Sequence, residues 1–82
     1  MRVIGRIPHP TIGITIFNMN DKYQLKLEAG PMEQTYKFTH EQAPGVEALE
    51  KLADDVFLKS CIDRFNAMFL DTKAALERSA AR

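Results

Sequence analysis

Cysteine is almost missing from this chain. Cys61 is the only one in 82 residues, so no disulfide can form within it. Charge of one sign is missing too: 11 basic residues balance 11 acidic ones. That is a poor start for a nucleic-acid binder, whose affinity comes largely from basic side chains meeting phosphates. No apolar run approaches the roughly 18 residues a membrane-spanning helix needs. The N-terminal MRVIGRIPHP lacks a long apolar stretch and a small-residue cleavage site, so no signal peptide is expected. Histidine occurs twice, as His9 and His40, without any HxH, HExxH or CxxC spacing. A zinc site needs three or four ligands, so neither histidine reads as a metal ligand, and no cofactor is implied. The lone thiol suits a cytoplasmic protein. A chain this short has a core worth only about 3–5 kcal/mol net, so support from a partner chain is expected.

What is present divides near residue 40. Before it, apolar residues alternate; after it, they recur at helical spacing. Taking Asn20-Asp21 as a two-residue turn sets Ile16 opposite Leu25, Ile14 opposite Leu27 and Ile12 opposite Ala29. Taking Gly30-Pro31 as the next turn sets Ala29 opposite Met32, Leu27 opposite Gln34, Leu25 opposite Tyr36 and Tyr23 opposite Phe38. Each pairing collects the apolar side chains on one face, and a slip of one residue would scatter them. A turn through Pro8-His9-Pro10 would pair Ile7 with Ile12, Gly5 with Ile14 and Val3 with Ile16. The expectation is α+β: a four-stranded antiparallel meander over residues 2–39, a connection over 40–45, and two helices over 46–79 packed on one face. The other face collects Arg2, Arg6, Lys22, Lys26, Glu28, Glu33 and Lys37 and is expected to be solvated, with Ile4, Phe17 and Met19 as exceptions.

The helical half carries two apolar stripes. Val46, Leu49, Leu52, Ala53, Val56 and Phe57 form one. Leu58, Cys61, Ile62, Phe65, Met68, Phe69 and Leu76 form the other, centred about 140° away at helical phase. One straight helix cannot bury both, so a break is expected at Asp54-Asp55. Asp54 suits an N-cap and Asp55 the positive end of the following helix. Pro44 is expected in the first turn of the first helix.

Cys61 falls mid-stripe, which predicts a buried, inert thiol. Glu28 and Glu33 face each other on the open face, where like charges are mildly destabilising. Gln34 is the anomaly, a polar residue in the apolar set Met32, Gln34, Tyr36 and Phe38. At the sheet edge its amide could meet helix ends, the connection or water. Alternatively, Tyr23, Gln34 and Tyr36 would line a small-ligand pocket.

The stretches IPHP, ITIFNMNDKY, EAGPMEQTYKF and RFNAMF, in that order, resemble a family of short Bacteroidota proteins. The resemblance covers most of residues 4 to 69 and implies a bacterial source. It implies no activity, cofactor or catalytic residue.

No nucleophile, base and orienting group can be assembled from the sequence, so an enzyme is the weakest reading. The leading expectation is a small structural or protein-interaction module acting as a homo-oligomer. The second helix would run about 37 Å, against about 27 Å for an eight-residue strand. Its overhanging part carries Phe69, Leu70 and Leu76, the expected oligomer contact. The edge strand at Glu33 to Thr39, partly blocked by Lys37, is the alternative contact, and another protein partner stays open. The alternatives are a nucleic-acid-binding or regulatory protein using the open sheet face, and a small-ligand binder.

Overall fold

The computed structural model describes residues 2–81. Strands β1 (Arg2–Arg6), β2 (Gly13–Met19), β3 (Lys22–Ala29) and β4 (Met32–Thr39) are followed by helices α1 (Val46–Leu52) and α2 (Asp55–Ala80). The strands form one antiparallel sheet in the order β1-β2-β3-β4. The expected α+β meander with two C-terminal helices is the observed architecture.

Two turns set the central register. Asn20 takes a positive φ of 50° and Gly30 one of 60°. Asparagine and glycine enter this left-handed region at low cost. Ile16 then stands opposite Leu25, and Ile14 opposite Leu27. Leu25 in turn stands opposite Tyr36, and Leu27 opposite Gln34. These four β2 and β3 side chains are buried together with Ala43, Leu49, Ala53, Leu58, Cys61 and Phe65. The core therefore lies between one face of β2–β3 and the two helices.

The β1 register departs from the expectation by two residues at Gly5 and by one at Val3. Gly5 stands opposite Ile16, not Ile14, and Val3 opposite Phe17, not Ile16. The cause is the loop. Nδ1 of His9 accepts hydrogen bonds from the backbone N–H groups of Thr11 and Ile12, at 3.2 and 3.3 Å. This His9-capped turn delays β2 until Gly13, so Ile12 lies outside the ladder and β1 slides along β2. An irregularity between Val3 and Gly5 then turns Val3 to the open face and Ile4 toward the core, reversing their expected sides.

The helix break falls where the phase change places it. Oδ1 of Asp54 accepts from Phe57 N–H at 2.9 Å, capping α2. Helix α1 has no side-chain cap. Its N-cap is Gly45 at φ 150°, so Pro44 precedes the helix rather than occupying its first turn. The glycine backbone is needed there to turn the chain off the sheet. The helix is held by packing instead: Leu49 is fully buried, and Val46 sits over Gly5.

Candidate functional site

The alternation of β4 puts Gln34 and Tyr36 on the helix face, one rung apart. The phase of α2 puts Cys61 and Arg64 one turn apart on the side of that helix nearest β4. The four side chains interlock. Nε2 of Gln34 donates to the Cys61 carbonyl at 2.8 Å. Its Oε1 accepts from the Tyr36 hydroxyl at 2.6 Å and from Arg64 Nε at 3.2 Å. The Tyr36 oxygen accepts from Arg64 Nη2 at 3.0 Å. The same Nη2 lies 3.3 Å from Cys61 Sγ. Phe57 adds an edge-to-face contact with the Tyr36 ring, at 5.2 Å between centroids. The anomaly at Gln34 is thereby resolved: its amide fastens an edge strand to a helix backbone.

The electrostatics follow from this packing. Burial pushes the Tyr36 hydroxyl above its ordinary value, the neighbouring Cys61 adds to this, and Arg64 acts against it. Hydrogen bonds to Tyr36 and Cys61 raise Arg64 in turn. The Cys61 side chain is fully buried. No histidine is among its hydrogen-bond partners: His9 caps the β1–β2 loop and His40 lies 4.4 Å from the Tyr23 ring. The cluster is a mechanical seam, with its one guanidinium at the solvent margin.

Of the sequence-derived pocket residues, Gln34 and Tyr36 meet, while Tyr23 packs on His40 instead. Sequence reasoning missed Arg64. Its signal was available: three residues after Cys61 and on its flank, a long donor could reach an unpaired amide on β4.

The expected oligomer-contact residues are all exposed: Phe69 at 56%, Leu70 at 63% and Leu76 at 66%. Phe69 and Leu76 belong together. With Pro31, Met32, Thr72 and Lys73 they line an apolar groove of about 240 Å³ under the far end of α2. Met32 and Phe69 also line an adjoining groove of about 490 Å³ with Ile12, Ala29, Ile62 and Phe65. The two form one trough along α2, past the β3–β4 hairpin tip. Leu70 lies elsewhere, about 100° round the helix from Phe69 and about 120° from Leu76.

On the open face, Glu28 and Glu33 do stand opposite each other. Lys26 lies between them, with Nζ at 3.9 and 3.4 Å from their carboxylates. That relieves the like-charge pair and engages one of the four basic residues of this face, Arg6, Lys22, Lys26 and Lys37. Arg2, expected here, stands opposite Asn18 on the helix side because of the irregularity in β1. Among the described residues no group of His, Cys, Asp and Glu is disposed to hold a metal ion. No helix there is long and apolar enough to cross a membrane. No family model, curated protein or solved structure matches this chain.

Proposed function

We propose that this protein is a small cytoplasmic interaction module that self-associates, and that the trough under the distal part of α2 receives a second copy. The observation that carries this reading is the continuation of one apolar stripe. The face of α2 that buries Leu58, Cys61 and Phe65 goes on through Phe69 and Leu76 after the sheet beneath it has ended. Exposed apolar surface of this kind favours a partner. Beside the stripe stand Lys73 and Glu77, one of each sign, and the whole chain is neutral. A copy of the same chain matches such a margin; a uniformly charged partner does not. The open sheet face has less support as a nucleic-acid surface, because Glu28 and Glu33 interrupt it and occupy Lys26.

Light scattering at tens of micromolar is expected to give a mass above one chain. Replacing Phe69 and Leu76 with Glu should lower that mass and weaken association by about tenfold or more per site, as loss of a buried apolar anchor does. Leu70→Glu, off the stripe, should leave the mass unchanged. A wild-type mass of one chain, with a melting temperature independent of concentration, would overturn the reading.

A further inference from the structure

We infer that β4 is a second self-association surface, which pairs antiparallel with β4 of another copy about a two-fold axis through Thr35. The trough under α2 is not part of this contact.

The two edges of the sheet differ. The edge strand β1 is short, begins and ends with arginine, and is irregular between Val3 and Gly5. Those are features that discourage strand addition. The edge strand β4 has eight residues, no internal proline and an unbroken register with β3. Its backbone groups alternate between β3 and the outside. The hairpin closes with Ala29 opposite Met32, so the N–H and C=O of Glu33, Thr35, Lys37 and Thr39 point outward. Thr39 confirms the phase, because both its groups are taken by the connection. Its N–H donates to Gln42 Oε1 at 3.0 Å, and its carbonyl accepts from Ala43 N–H at 3.0 Å. The edge left open is therefore Glu33 to Lys37, and its centre is Thr35.

That open edge is complementary to itself. With Thr35 opposite Thr35 of the second copy, Glu33 falls opposite the second copy's Lys37, and Lys37 opposite its Glu33. All the free N–H and C=O groups of Glu33, Thr35 and Lys37 then find partners. On the helix face Gln34 meets the second copy's Tyr36, and Met32 meets its Phe38. No neighbouring register does this. A shift of one residue turns the helix face of one copy to the open face of the other. A shift of two loses both charge pairs, by setting Glu33 opposite either Thr35 or Thr39. A shift of four sets glutamate against glutamate or lysine against lysine. The opposing term lies on the helix face, where each Arg64 already reaches over Gln34 and Tyr36 and the two guanidinia approach across the axis. The product is one continuous sheet with the helices of both copies on the same side.

The test uses the Phe69→Glu/Leu76→Glu protein, in which the trough is disabled, beside the wild type. Amide exchange at Glu33, Thr35 and Lys37 should be slow at high protein concentration and fast on dilution in both. Charge pairs across strands contribute modestly. Glu33→Lys alone, or Lys37→Glu alone, should raise the Kd of pairing by about tenfold. An equimolar mixture of the two single variants should restore it, since each copy then offers what the other lacks. Thr35→Pro removes an outward N–H that the fold does not use, so it should abolish pairing while the melting temperature at low concentration holds. Fast exchange at these three amides in an assembled wild-type sample would overturn the edge pairing and leave the trough standing. Failure of the mixed variants to associate better than either alone would overturn the register.

Discussion

Gln34 ties three neighbours with one amide. It gives a hydrogen to the Cys61 carbonyl and takes hydrogens from Tyr36 and Arg64. In the alternating pattern of β4 it looks like an error, because only Tyr36 on its own strand uses it. Its other two partners arrive from α2, nearly thirty residues later, so the full reason for it could not be read locally. The pattern did disclose that something polar had to meet Gln34 at the sheet margin. Gln34→Ala leaves the Tyr36 hydroxyl and Arg64 Nε to half-exposed solvent, so the loss is that of ordinary hydrogen bonds rather than stranded buried groups. We expect a destabilisation of about 1–2 kcal/mol. Urea unfolding should show it as a lower midpoint with an unchanged slope. A midpoint within error of the wild type would mean that water replaces the amide fully.

The helices are held in different ways. Helix α2 starts on a side-chain cap, whereas α1 starts on a glycine and relies on Leu49 and Val46. The boundary between them was legible because two independent signals coincide: the apolar stripe jumps in phase, and an aspartate stands at the jump. Asp54→Ala should therefore cost about 1 kcal/mol. Asp55→Ala, which touches only the helix dipole, should cost less. Thermal melts of the two variants compare them directly, and equal shifts would contradict the assignment of the cap. The strands β2 to β4 were legible in the same way, since their turns and their alternation agree. The register of β1 was not. Three hydrogen bonds to one nitrogen of His9 lengthen the turn before β2. Nothing in IPHPTI distinguishes such a turn from a tighter one. The irregularity at Ile4 likewise has no mark in the sequence, because Val3 and Ile4 are equally apolar.

At the scale of the molecule, shape carries the argument. The extents are 49 × 26 × 19 Å and the radius of gyration is 15.0 Å. A compact chain of this length would have a radius near 12 Å. The excess comes from α2, whose 26 residues run about 39 Å in all, against about 27 Å for the eight-residue strands. Length and stripe were both legible in the sequence. The stripe through Phe69 and Leu76 excludes Leu70, which falls on the otherwise polar side with Lys59, Asp63 and Asn66, so its place in the expected contact rested on exposure alone. A copy seated in the trough and a copy added at β4 occupy different parts of the molecule. A chain using both proposed contacts goes beyond a dimer, to a closed assembly where the two rotations close and an open one where they do not. Disabling either contact should reduce the assembly to pairs, and disabling both should give single chains.

The seam between β4 and α2 also makes the protein its own optical probe. The chain has no tryptophan and two tyrosines. One of them, Tyr23, lies against His40; the other is bound into the seam. Burial holds the Tyr36 phenol above its ordinary value of 10.0, so the folded state keeps its proton where the unfolded chain begins to lose it. That contribution to stability is complete below the ordinary value and disappears as pH rises through the raised one. Alkaline titration of tyrosinate absorbance should show a late component that disappears in Tyr36→Phe and moves earlier in Gln34→Ala. Opening of the seam would thus be visible in the absorbance of the unlabelled protein, without a dye or an engineered residue.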